Sequence, residues 1–274
     1  MRARFCVALG LLLCAAAGAA SENGFTRIDL ERTDSQLTVE GSIGHFAYHA
    51  HGGEIHVFGT HLSLEYAIRS HGFNARLPFT MAMYTGPEEL NSFAHGFGDA
   101  QLTYTYSMQR GRVNFTFGGF WGMPLPARGV ENQGLAVNPG SGRHNIGVLF
   151  ALAGIRDPVV WNMGFSYGVG LPRRENGVWS LQPGNIRINA GVTALLNEVF
   201  GFRANLYQEL RLPQVNSNGA NAAGFATSTF FVPEALVLGD NWLLRVGLHV
   251  YAHPIAAPAI VRITYSHIFY FPAR

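Results

Sequence analysis

A chain of 274 residues with 19 basic and 17 acidic side chains is close to charge-neutral, and 48% of it is hydrophobic against only 13% charged. No basic face of the kind that binds nucleic acid emerges from that balance. The two cysteines, Cys6 and Cys14, both lie in the first twenty residues. A chain that sheds those residues holds neither a disulfide scaffold nor a cysteine metal site.

Residues 1–20 look like a secretory signal. Arg2 and Arg4 give a charged start, Phe5 to Leu13 an apolar core, and Ala15 to Ala20 a small-residue cleavage region. The apolar run is too short for a membrane-spanning helix, which needs about 20 residues. Beyond it the chain contains no lysine, so all of its positive charge is arginine. Residues 21–36 are polar and aperiodic, and are read as a periplasmic or plug segment.

From Leu37 onward the dominant signal is a period of two. Strands are expected near 37–50, 54–68 and 73–84. The clearest alternation follows: Leu102, Tyr104, Tyr106 and Met108 on one side, Gln101, Thr103, Thr105 and Ser107 on the other. Its partner begins after Arg110-Gly111, with Val113, Phe115, Phe117, Gly119 and Trp121 on one face. Further strands are expected near 143–153, 158–169, 184–195, 199–211, 226–237, 241–252 and 259–271. A strand alternating in this way has one face in an apolar medium and the other wet.

The joints are alternately tight and long. Tight turns fall at 69–72, 110–111, 154–157, 196–198 and 238–240, and long loops at 85–97, 123–142, 170–183 and 212–225. That rhythm, with twelve strands (ten to fourteen are compatible), predicts an all-β fold: one antiparallel transmembrane β-barrel over 37–274. An even number of strands returns both termini to the turn side, in the periplasm. A β-sandwich would show similar alternation, but the signal-like start and the aromatic-rich apolar faces favour the barrel.

Parity sorts the side chains. The apolar faces should meet lipid, and the charges at strand centres should face the lumen, since an arginine on the lipid side at mid-depth costs about 2–4 kcal/mol. The expected lumen residues are Glu65, Arg76, Asp99, Arg112, Arg187, Arg203, Glu209, Glu234, Arg245 and Arg262. They are candidates for setting pore selectivity, as rings of charge do, or for a salt-bridge network that closes the barrel. Gly118, Gly147, Gly164, Gly168, Gly191, Gly201 and Gly247 fall on the same inner face. They either relieve crowding at bends or leave room for a solute or an inserted segment.

Three enzyme-like or metal-like patterns are set against simpler explanations. His45, His49, His56 and His61 are the densest of the eleven histidines, without a recognised ligand spacing. His61-Leu62-Ser63-Leu64-Glu65 offers a His–Ser pair for a lipid hydrolase. However, Leu62, Leu64, Tyr66 and Ile68 claim the lipid side, where such a pair would have to act. Ser266-His267 has the same difficulty. The chain is therefore read as a non-enzyme, with no catalytic residues, no metal and no cofactor.

Several motifs carry a family resemblance in chain order. Gly96-Phe97-Gly98-Asp99 opens one strand, and the following hairpin ends in Gly122-Met123-Pro124-Leu125-Pro126. Asn138-Pro139-Gly140-Ser141-Gly142 precedes the next strand, Trp161 to Gly168 ends in an aromatic–glycine pair, and Phe231-Val232-Pro233-Glu234 leads to Gly239-Asp240-Asn241-Trp242. From about residue 60 to its end the chain resembles the outer-membrane family named for the meta-pathway of phenol degradation. That family is related to hydrophobic-compound transporters typified by the long-chain fatty-acid channel. The resemblance implies a barrel in the outer membrane of a diderm bacterium that takes up small solutes, hydrophobic ones among them. Outer-membrane lipid, a small-molecule solute and the barrel-assembly machinery are the expected partners, and nucleic acid is not. A surface-interaction protein using the long loops, with no open pore, is the second expectation.

Overall fold

The computed structural model describes residues 35–50, 53–85, 92–125, 142–156, 159–175, 178–216, 221–223, 226–252 and 259–271. The signal-like segment and nearly all of the 21–36 segment lie outside them. Fifteen strand segments are present among these residues: β1 (Ser35–Ala50), β2 (Gly53–Ile68), β3 (His71–Thr85), β4 (Ser92–Phe97), β5 (Ala100–Arg110), β6 (Val113–Met123), β7 (Asn145–Arg156), β8 (Val159–Glu175), β9 (Val178–Leu195), β10 (Phe200–Arg211), β11 (Gln214–Asn216), β12 (Asn221–Ala223), β13 (Ala226–Leu238), β14 (Trp242–Ala252) and β15 (Ile260–Phe271). Each principal strand pairs antiparallel with its neighbour in sequence. β15 pairs with β1, Ser35 opposite Phe271 and Glu40 opposite Ser266, so the sheet closes on itself. A closed sheet with no free edge is what a strand-built protein needs in lipid, where unpaired backbone groups find no water.

Twelve staves make up the wall, each at an expected position. β4 and β5 form one stave with an inserted residue: Phe79 faces Phe97 and Arg76 faces Gln101, so β3 advances three residues while its partner advances four. Pro78 stands at that point and brings no N–H to the ladder, which is where a bulge is tolerated. β11 extends the β10 side by pairing with β9, and β12 pairs with β11. The first strand, which parity required for an even count, is the one that closes the barrel.

The loop boundaries need correction. The expected loop 170–183 is mostly strand, because β8 runs to Glu175 and β9 starts at Val178. Gly170 and Pro172 read as loop residues in sequence. The ladder instead absorbs them in register shifts between Gly168 and Gly170 and between Gly170 and Arg173. A transmembrane strand needs about 9–11 residues, so this pair of 17 and 18 residues is longer than a bilayer requires. Part of loop 85–97 is likewise β4, and loop 212–225 contains β11 and β12.

The tight turns gather at one end with both ends of the barrel's chain. Ser35 pairs with Ile68 and Phe271, Ile68 with His71, and His71 with Tyr106. At these turns Arg69 and Gly111 take left-handed backbone, with φ of 50° and 62°. Glycine does so freely; an arginine there carries the steric cost of its Cβ.

Side chains sort as alternation demands. Large apolar residues such as Leu62, Met163 and Val148 stand exposed on the outside, at 50%, 52% and 57% of their surface, a continuous apolar belt of the kind that meets lipid. Aromatic residues gather on the outer face near the turn end. Tyr66, Phe73 and Tyr104 lie side by side on β2, β3 and β5, and the Tyr104 hydroxyl pairs with His71 Nδ1 at 2.8 Å. Girdles of this kind mark the membrane–water boundary of outer-membrane barrels.

Candidate functional site: the lumen wall

The inner wall is built by cross-strand neighbours, because side chains directly opposite on antiparallel strands lie within about 5.5 Å. One polar cluster centres on Glu40 of β1. Its Oε2 accepts from Arg245 Nη2 of β14 at 2.6 Å and from Ser266 Oγ of β15 at 2.9 Å. Its Oε1 lies 3.3 Å from His61 Nε2 of β2. His61 Nδ1 in turn lies 2.9 Å from Arg76 Nη2 of β3 and 2.5 Å from Ser42 Oγ. A guanidinium only donates. Nδ1 is therefore the accepting nitrogen, and the Nε2–H faces the carboxylate.

A second cluster surrounds Glu209 of β10. Asn185 donates to its Oε1 at 2.7 Å, Arg211 Nε approaches at 3.3 Å, and Arg187 Nη2 of β9 stands at 4.0 Å. Between the two, Arg203 of β10 pairs with Glu234 of β13 at 3.5 Å and donates to Thr193 Oγ1 at 3.1 Å. Arg262 of β15 completes this row, with Gly44 directly opposite on β1 and Gly247 on β14. Glu209 and Arg245 are each only 2% exposed, so these groups are packed against one another as a buried charged wall. Charges taken out of water hold only when paired in this way.

Most of the expected lumen residues take the inner face: Glu65, Arg76, Arg187, Arg203, Glu209, Glu234, Arg245 and Arg262. Asp99 stands half-buried beside the β4–β5 bulge. Arg112 is a correction. It occupies the turn joining β5 and β6 and is exposed, because the strand ends at Arg110 and parity does not extend into the turn. Glu40, Ser42, Ser266, Arg211 and Asn185 were missed. Glu40 and Ser42 share the alternation of their strand, and that signal alone places them inside.

The inner glycines make room for neighbouring side chains. A Cβ on Gly147 would collide with the Phe120 ring and the Tyr167 carbonyl oxygen, so the Phe120 ring lies over it. Gly168 gives the same ring space. Gly164 is covered by Asn189, Gly191 by Asn205, and Gly247 by Glu234. Close packing accounts for these positions.

Neither enzyme-like pattern is assembled. Ser63 Oγ accepts from Asn74 Nδ2 at 2.8 Å rather than meeting His61, since residues two apart on a strand are farther from each other than cross-strand neighbours. Glu65 stands opposite Asn74 and Thr38. His61 has Arg76 on the nitrogen a base would use. Ser266 faces the lumen, while His267 packs against Phe269, ring centroids 4.6 Å apart. His45 and His56 stack with their rings 5.6 Å apart, outside the wall that holds His61 inside. Among the described residues no group of three or more His, Cys, Asp or Glu side chains is placed to hold a metal ion. The His49 side chain lies outside what is described.

No family model matches the chain, and no curated protein is significantly similar to it in sequence. Solved structures do match. The COG4313 outer membrane channel from Pseudomonas putida F1 is 12% identical over 91% of this chain and 100% of its own, with a TM-score of 0.69. The transport unit of the autotransporter AIDA-I from Escherichia coli is 9% identical, covering 94% of this chain and 97% of its own, at 0.49. A mutant of the TodX monoaromatic hydrocarbon channel is 9% identical, covering 88% and 91%, at 0.48. With its closed wall, apolar belt and inward charges, the chain has the fold of an outer-membrane β-barrel.

Proposed function

We propose that this barrel is a passive channel of the outer membrane, admitting small solutes, hydrophobic ones among them, through its lumen, and that it performs no chemistry on them. The observation that carries the reading is the sorting of the wall: a closed cylinder whose exposed large apolar side chains face out and whose charges face in, beside buried apolar residues such as Phe46, Val57 and Phe230. A solute crossing within it never meets the hydrocarbon core. The likeness in fold to an outer membrane channel supports the same reading. Movement follows the concentration gradient without energy input, and gating falls to the loops and to the 21–36 segment.

Planar-bilayer recording tests this proposal. The mature chain is expected to give discrete conductance steps, and a version lacking residues 21–34 is expected to give larger ones. A correctly folded barrel that inserts and stays electrically silent in both forms would remove the channel reading. The surface-interaction alternative predicts that silence.

A further inference from the structure

We propose that the solute path runs along one side of the lumen only, over the inner face of β5 and β6, and that it suits uncharged small molecules bearing a hydrogen-bonding group. This rests on the channel reading above and names its route and solute class. The two sides of the lumen differ in kind. On β10 to β15 the inner side chains Arg203, Glu234 and Arg245 are 5%, 4% and 2% exposed, sealed into their pairs, while Arg187, Tyr207 and Arg211 near Glu209 are less deeply buried. On β5 and β6, Thr103, Thr105, Ser107, Thr116 and Phe120 are all only half-buried. They do face inward. Thr105 stands opposite Gly72 and Gly118, and Thr103 opposite Asn74 and Phe120, all within the inner row. Partial exposure on an inward face means that space wide enough for water stands in front of it.

That stretch, from Gln101 to Ser107, is about 20 Å long at the rise of an antiparallel strand. Its groups are hydroxyls, amides and one phenyl ring. Ser107 and Thr116 hydroxyls pair at 2.9 Å, and Gln101 donates to Thr103 at 3.2 Å. Each hydroxyl has one donor and two acceptor sites, so these pairings leave capacity for a passing molecule. No formal charge lies on this wall from Gln101 to Ser107 or from Val113 to Gly122. Cations and anions alike find no counter-charge here, so ions that cross hydrated are not sorted by sign, whereas a neutral solute exchanges water for hydroxyls at little cost.

The mature chain lacks cysteine, so single substitutions report one place at a time. Thr105→Cys, Thr116→Cys, Thr264→Cys and Ser266→Cys barrels, each checked for folding by its gel mobility, would be treated with a charged methanethiosulfonate. Labelling would be read by mass spectrometry, and swelling of proteoliposomes in an uncharged polyol recorded before and after. Thr105→Cys and Thr116→Cys should label about tenfold faster than the other two, as thiol reactivity follows access. Their labelling should cut polyol swelling by about threefold, as narrowing a pore does. In a salt gradient the reversal potential should stay near zero. Equal labelling of both walls, or none at Thr105→Cys and Thr116→Cys, overturns the route, and a strongly ion-selective reversal potential overturns the solute class. A folded but impermeable barrel sinks the channel reading instead, and its labelling pattern still decides where the space lies.

Discussion

Replacing Glu209 by alanine is expected to destabilise the folded barrel by about 3–5 kcal/mol, the cost of removing one partner from a buried ionic group. The carboxylate is 2% exposed and is shared by Arg211, Arg187 and Asn185. Without it, the largely buried Arg187 and the half-buried Arg211 lose the counter-charge they share. Urea unfolding in lipid vesicles, followed by tryptophan fluorescence, measures the loss. The comparison that isolates the cause is the double change Arg203→Met with Glu234→Leu, which removes a neighbouring pair whole. Replacing both members of a buried pair by apolar side chains of similar size is often close to neutral. That double variant should therefore stay within about 1 kcal/mol of the parent. If Glu209→Ala costs no more than the double variant, the charged wall is not the buried network described.

Leu62→Arg is the second large effect. Leu62 lies well inside β2 on the outer face, 50% exposed, opposite Gly41 and Leu77. An arginine at mid-depth on a lipid-facing strand costs about 2–4 kcal/mol, falling to about 0–1 near the interface. The same substitution at Ile68, on the same face beside the tight turn, supplies the depth comparison. Equal costs at the two positions would mean that the apolar belt does not sit in a bilayer as described.

How far the molecule could be read in advance depended on the range of the interaction. The strands were legible because a period of two is local: Tyr104 faces out and Thr105 in wherever the strand goes. The closing strand was legible from its alternation together with the even-number rule. Proline and glycine misled where pairing overrides local preference, as in the long β8–β9 hairpin around Pro172. The clusters were illegible for a different reason. Glu40 and Arg245 are brought together only by closure of the barrel, and Ser42 reaches His61 only through the β1–β2 register. A His-x-Ser pair on one strand suggested a hydrolase because sequence displays neighbours along a strand and conceals those across it. Inner-face parity was a reliable guide to which side a residue takes; it said nothing about which of those residues water can reach.

The central claim, that a closed barrel with inward charges conducts solute passively, is tested most directly by flux through purified protein. Proteoliposomes containing the folded barrel should swell in isotonic solutions of small uncharged solutes, with no energy source. The rate should scale with the amount of protein and fall as solute size increases. Vesicles that take up none of these solutes, while the protein in them is folded and inserted, would contradict the account.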